Sequence, residues 1–139
     1  MQKIFFKIFT SIHVFFYRLS RGRFGSQVRG LPVLLLTTTG RKSGKQRTTP
    51  LGYIKDSDKY VITASNAGYD YHPDWYHNLV ANPQVVIQVR DKVLPATSGV
   101  ADGDERSRLW KQLVQVAPGY SDYERKTTRQ IPLIILKTE

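Results

Sequence analysis

Arg41, Lys42, Lys45 and Arg47 crowd into one short run with Ser43 among them and no acidic residue between. Guanidinium forks, ammonium groups, a hydroxyl and backbone N–H groups all donate hydrogen bonds, so together they suit an oxyanion such as a phosphate or a carboxylate. Gly40 and Gly44 let the chain reverse tightly enough to bring such donors to one point. The run reads as an anion cradle, against the plainer reading of a solvated cationic turn that keeps a sheet edge from pairing. The Gly-x-x-x-x-Gly-Lys-Ser/Thr spacing of a nucleotide-binding loop is absent.

The elements that must position this run are strands. From Leu34 to Tyr53 the chain reads LLLTTTGRKSGKQRTTPLGY, an apolar β-type run, a glycine-marked reversal and a return. Strands are predicted over 31–39, 46–55 and, after the Asp56-Ser57-Asp58 turn, 59–64. Ser65-Asn66-Ala67-Gly68 breaks the third strand, and Pro73 opens a short helix over 73–80 that stops at Ala81-Asn82-Pro83. On that helix Trp75 reads as a core anchor, whereas Asn78, an amide on the inward side, requires hydrogen-bond partners. A second hairpin follows over 85–89 and 92–100. Asp102-Gly103-Asp104-Glu105 has the spacing of a capping box and predicts a helix over 103–116. Residues 120–128 read as a loop or a single helical turn, with Tyr120 and Tyr123 able to face the same way. A buried strand over 131–136 closes the chain. Six strands with interposed helices indicate a mostly β fold, a small antiparallel barrel rather than a doubly wound sheet.

The chain divides into a basic helix and linker over 1–30 and a barrel over 31–139. In the first part, Phe5, Ile8, Phe9, Ile12, Phe15, Phe16 and Leu19 recur at helical spacing. Six basic side chains and no acid occupy the first thirty residues. Such a helix either lies in a membrane interface or packs on the barrel. It lacks the ~20 uninterrupted apolar residues of a bilayer span and is followed by no signal-peptide cleavage pattern.

The 139 residues, 40% apolar, suit one domain with a real core. Twenty-one Lys and Arg against 11 acids give a net charge of +10, which favours an anionic partner. The absence of cysteine excludes disulfides, thiol redox chemistry and cysteine metal sites. Of the histidines, His13, His72 and His77, the last two are five apart, off the i, i+4 spacing of a helical metal pair, and no metal site is expected.

The order of LLLTTTGRKSGKQRTTPL, ITASNAG, PDWYHNLVANP and YSDYERKTTRQIP resembles the deazaflavin-dependent nitroreductase and F420H2-dependent quinone reductase family, from about Gly30 to the C-terminus. The resemblance implies a split β-barrel related to the FMN-binding barrels and hydride transfer from reduced coenzyme F420 to a quinone such as menaquinone, a nitroaromatic or an activated enone. It implies that Arg41, Lys42, Ser43 and the run Arg47, Thr48, Thr49, Pro50, Leu51 and Gly52 hold the cofactor's phosphate and carboxylate tail. By the same likeness Thr63, Ala64, Ser65 and Asn66 line the deazaflavin ring, and Asp74, Trp75, Tyr76, His77 and Asn78 meet its other side or the phospholactyl linkage. Tyr120 and Tyr123 match positions that cover the substrate, and Ser65 one that orients or protonates it. Gly52 and Ala117 stand where the best-known quinone-reducing member has tyrosines, and Asn66 replaces a lysine. FMN, with a single phosphate, needs fewer cations than this run supplies. Rival readings are a non-catalytic flavin- or lipid-binding barrel and, on charge alone, a nucleic-acid binder, for which no recognition module is present. The implied location is cytoplasmic, with peripheral contact at an anionic membrane.

Overall fold

The computed structural model describes Val14, Phe15, Tyr17, Arg18, Gln27, Val28 and residues 30–138. Strands β1 (Gln27–Val28), β2 (Leu31–Thr39), β3 (Gln46–Asp56), β4 (Lys59–Thr63), β5 (Gln84–Val89), β6 (Lys92–Val100) and β7 (Leu133–Thr138) are joined by helices α1 (Asp74–Ala81), α2 (Gly103–Val116) and α3 (Tyr120–Lys126). The strand order is β1-β2-β3-β4-β7-β6-β5, and β2 also pairs with β5, so six strands close into an antiparallel barrel. Closure leaves no long free edge among these six, which is how a small sheet avoids edge-to-edge association.

Alternation along each strand sorts the core into an inside and an outside. Leu34, Leu36, Ile62, Ile87, Ala96, Ile134 and Leu136 fill the interior, and Trp75 and Leu79 of α1 plug one end of it. On the outer side Leu31, Ile54, Val61, Leu133 and Ile135 pack under Leu109 and Leu113 of α2 and Tyr120 and Tyr123 of α3. Strands β2 and β7 are therefore buried on both faces, which explains why they read as unbroken apolar runs rather than alternating ones.

Val33 and Leu35, also on the outside of β2, are covered by Tyr17, which is fully buried. Its hydroxyl donates to Val33 O at 2.8 Å and accepts from Arg90 N at 2.9 Å. Burial holds the Tyr17 phenol above its ordinary pKa. Residues 14, 15, 17 and 18 are helical, but Phe15, one of the expected apolar positions, is 60% exposed. Phe5, Ile8, Phe9, Ile12, Phe16, Leu19 and His13 lie outside the described residues.

Several boundaries differ from the expectations for physical reasons. Strand β7 starts at Leu133 rather than residue 131 because Pro132 has no N–H for the ladder; its carbonyl instead accepts Ala64 N at 2.9 Å. Pro73 is extended and forms the N-cap of α1 rather than its first residue. Asp102 precedes α2 without a side-chain capping bond, and the first turn closes through Arg106 N donating to Asp102 O at 3.1 Å. Residues 120–126 form a seven-residue helix rather than one turn.

Candidate active site

The β2–β3 reversal is built on its two glycines. A Cβ at Gly40 would lie 2.7 Å from Ser43 Oγ and 3.2 Å from Lys45 O, and Gly44 takes a left-handed φ of 71°. Gly40 N donates to Lys45 O at 2.7 Å, Gly44 N to Gly40 O at 2.9 Å, and Lys45 N to Ser43 Oγ at 3.1 Å. The folded tip is then tied to α1. Asn78 Oδ1 accepts from Arg41 N at 3.1 Å and from Arg41 Nη1 at 2.9 Å, while Asn78 Nδ2 donates to buried Thr38 Oγ1 at 3.5 Å. Arg41 also donates to Asp74 O at 3.3 Å and pairs with the Asp74 carboxylate at 3.6 Å. Asn78, buried in the barrel end, thus finds the partners its amide requires, and Arg41 is held at both its backbone and its fork.

Lys42, Lys45 and Arg47 are exposed, and among the described residues none forms a salt bridge. Arg18 joins this end by donating to Thr48 Oγ1 at 3.3 Å, and Thr48 in turn shares a 2.8 Å hydrogen bond with Thr37 Oγ1. The 47–52 run cannot present every side chain to one ligand, since neighbours on a strand point to opposite faces. Leu51 packs with the interior cluster, whereas Gly52 lies on the outside beside Leu31 and Tyr120.

That outer side is the second part of the site. Tyr120 and Tyr123 stack edge to face at 5.5 Å and are 5% and 8% exposed. Tyr120 and Leu31 fill the space beside Gly52: a Cβ there would sit 3.1 Å from Leu31 and 3.5 Å from the Tyr120 hydroxyl. Thr63 reaches the same side, in a narrow gap lined by Gly52, Ile54, Val61, Leu113 and Leu133 that has no room for a water molecule. Its buried hydroxyl has no hydrogen-bond partner among the described residues.

Residues 64–72 connect the two parts. Ala64 is fully buried, Ser65 is half-buried, and Asn66 Nδ2 donates to Tyr71 O at 3.0 Å. His72 stacks on Tyr76 at 4.5 Å and meets His77 edge-on at 5.7 Å. Burial first, then the Arg129 charge and His77, hold His72 below its ordinary value of 6.5. No cluster of three metal-ligating side chains occurs among the described residues.

The structure therefore brings Arg41, Asp74 and Asn78 into one hydrogen-bonded group, places Gly52, Thr63, Tyr120 and Tyr123 on the outer side, and strings Ala64, Ser65 and Asn66 between. Trp75 and Tyr76 pack against the interior, and His77 is exposed. Sequence reasoning missed Thr38, whose burial follows from its inward register on β2. It also missed Arg129, which approaches the connecting loop from the far end of the chain. The donor set at the barrel end, cations and N–H groups, fits an anionic cofactor.

Comparison with known proteins places the chain in a family. Residues 9–138 match the F420H(2)-dependent quinone reductase family. The chain is 42% identical over 130 residues to an F420H(2)-dependent quinone reductase of Mycobacterium tuberculosis, covering 90% of this chain and 87% of the relative. A solved F420-H2 dependent reductase is 46% identical, with a TM-score of 0.71 over 76% of this chain and 94% of the other. A second solved structure, described as a domain-swapped dimer, is 44% identical with a TM-score of 0.73, covering 86% and 90%. Fold and family match together define a split-barrel oxidoreductase with reduced F420 as its cofactor. The chain belongs to the F420H(2)-dependent quinone reductase family.

Proposed function

We propose that the Arg41, Lys42, Lys45 and Arg47 end holds the phosphate and carboxylate tail of reduced F420, and that the acceptor, a quinone of the menaquinone type, is reduced beside Ser65, Tyr120 and Tyr123. The carrying observation is the fixed Arg41. Its fork is aimed by Asn78 and Asp74, and three further cations without salt bridges among the described residues stand on the same reversal. A surface ion pair such as Arg41–Asp74 is worth only about 0–1 kcal/mol, so an incoming polyanion displaces it at little cost.

Bound reduced F420 supplies the hydride. The chain's own residues do the rest. The Arg41 group orients the tail, the apolar outer side excludes water from the acceptor, and the Ser65 hydroxyl, together with a hydroxyl of Tyr120 or Tyr123, donates a hydrogen bond to the acceptor oxygen as negative charge develops there. The two tyrosines present the acceptor with aromatic faces after moving from the packed positions they occupy without it.

Titrating the protein with F420 and FMN in parallel, then following reduced-F420 oxidation with menaquinone and a nitroaromatic panel, tests this reading. F420 is expected to bind the tighter, with menaquinone the faster acceptor. Equal binding of FMN, or binding without turnover on any acceptor, would favour a carrier instead.

Peripheral contact with an anionic membrane on the cytoplasmic face is the second part of the proposal. All six phenylalanines fall within the first 24 residues, and Phe15 is 60% exposed while Tyr17 is pinned to the barrel. No helix among the described residues is long and apolar enough to cross a membrane. Phe15→Asp in the full chain is expected to reduce flotation with phosphatidylglycerol vesicles; flotation equal to that of the parent protein would remove the idea.

A further inference from the structure

Arg129 lies between α3 and β7, yet its guanidinium is directed at the loop between β4 and α1. Nε donates to Tyr69 O at 2.8 Å and Nη2 to Ser65 O at 2.8 Å. Nη1 donates to Ala64 O at 3.2 Å and to His72 Nδ1 at 2.9 Å. A guanidinium has five N–H groups in fixed directions and no acceptor, so four of them are engaged by four residues of one loop and His72 must offer a lone pair at Nδ1.

The loop needs such a hold. Asn66 and Ala67 take φ values of 47° and 54°, left-handed conformations that side-chain-bearing residues disfavour. Locally the turn is closed by Gly68 N on Ser65 O at 2.8 Å and Tyr69 N on Asn66 O at 3.1 Å. Thr127 Oγ1 reinforces it from the same side as Arg129, donating to Asp70 Oδ1 at 2.9 Å. The carbonyls that Arg129 engages flank the two left-handed residues, at Ala64 and Ser65 on one side and Tyr69 on the other. A cation that binds both flanks favours the strained turn over its relaxed alternatives.

We propose that Arg129 is a positioning residue for catalysis: by fixing the peptides on both sides of Asn66–Ala67 it aims the Ser65 hydroxyl at the acceptor. This rests on the role given to Ser65 above. Lysine cannot substitute, because a single ammonium with three donors cannot reach acceptors spread over four residues.

The test compares Arg129→Met, Arg129→Lys, Ser65→Ala and the double variant Arg129→Met with Ser65→Ala. In the ligand-free protein, exchange at the Gly68 and Tyr69 amides should rise about tenfold or more in both Arg129 variants while the β2–β3 ladder is unchanged. With F420H2 and menaquinone, kcat should fall about tenfold while F420 affinity stays within about threefold, and the double variant should be no slower than Arg129→Met alone. Unchanged exchange would overturn the clamp. A double variant whose loss is the product of the single losses would overturn the link to Ser65. If Arg129→Met does not fold, Arg129→Lys and its double with Ser65→Ala carry the same readouts. Failure of the parent protein to bind F420 would instead strike the functional reading, and the exchange result would still decide the clamp.

Discussion

The two ends of the site are prepared to different degrees. At the β2–β3 reversal the groups that would meet an anion are already aimed: Arg41 is held by Asn78 and Asp74, and Lys42, Lys45 and Arg47 stand in solvent. On the outer side of β3 and β4 the described residues are closely packed, with Tyr120 buried beside Gly52 and Tyr123 buried edge-on against the Tyr120 ring. Preorganisation lowers the entropy cost of binding, whereas a packed aromatic pair must move before a second molecule can enter. On the proposed reading, the reversal can take up the cofactor in the state seen here, whereas the acceptor side must first rearrange.

The contrast is broken most directly by removing the charges. Neutralising Arg41, Lys42 and Arg47 together should weaken F420 binding by about 100-fold or more, taking roughly 1 kcal/mol for each lost charge-assisted contact. The loss should shrink as salt is raised, since these side chains are exposed and screened. Fluorescence titration of the cofactor at two ionic strengths measures both. An affinity indifferent to the triple substitution would mean that the tail lies elsewhere.

The closed side is probed by overfilling it. Gly52→Val places methyl groups where Leu31 already stands 3.1 Å from an added Cβ, and is expected to cost about 1–3 kcal/mol of stability in denaturant unfolding. By crowding Tyr120 it should also raise the KM for menaquinone while leaving F420 affinity near the parent value. A variant with unchanged stability and unchanged KM would show that this packing neither matters to the fold nor gates the acceptor. Next in size, Tyr120→Phe with Tyr123→Phe keeps both rings and removes both hydroxyls. Turnover should slow several-fold, about 1 kcal/mol of barrier, with F420 binding preserved. Parent-like steady-state rates would discard a hydroxyl role.

The barrel was legible because its strands carry apolar runs and turn residues in the right order, and the reversal at Gly40 and Gly44 because glycine marks turns. Asn78 was legible as a question, since a buried amide must be satisfied, and Arg41 supplies the answer. What could not be read has a common physical origin. Tyr17 is held through Val33 O and Arg90 N, and Arg129 through three carbonyls and a histidine 57 to 65 positions away. Backbone partners leave no trace in residue type, so no spacing predicts them. Helix α3 was missed because its residues YSDYERK offer only Tyr120 and Tyr123 as a buried face, too few to set a helical period.

The smallest expected effect lies in the connecting loop and concerns pH. His72 faces Arg129 and His77 and stacks on Tyr76, and its folded-state pKa lies below the ordinary 6.5. As pH falls through 6.5 the unfolded chain takes up a proton on this ring before the folded one does, so folding stability declines. The decline from this group ends once pH passes below the folded-state value, where both states are protonated. Above 6.5 the contribution is fully present. Protonation also converts Nδ1 from acceptor to donor and so breaks the contact with Arg129. His72→Gln retains an acceptor for Arg129 but does not titrate. The difference between parent and variant stability, measured from pH 7.5 down to about 5, should therefore open below 6.5 in the variant's favour. A difference that stays flat across that range would show that the ring is already free to protonate in the folded protein.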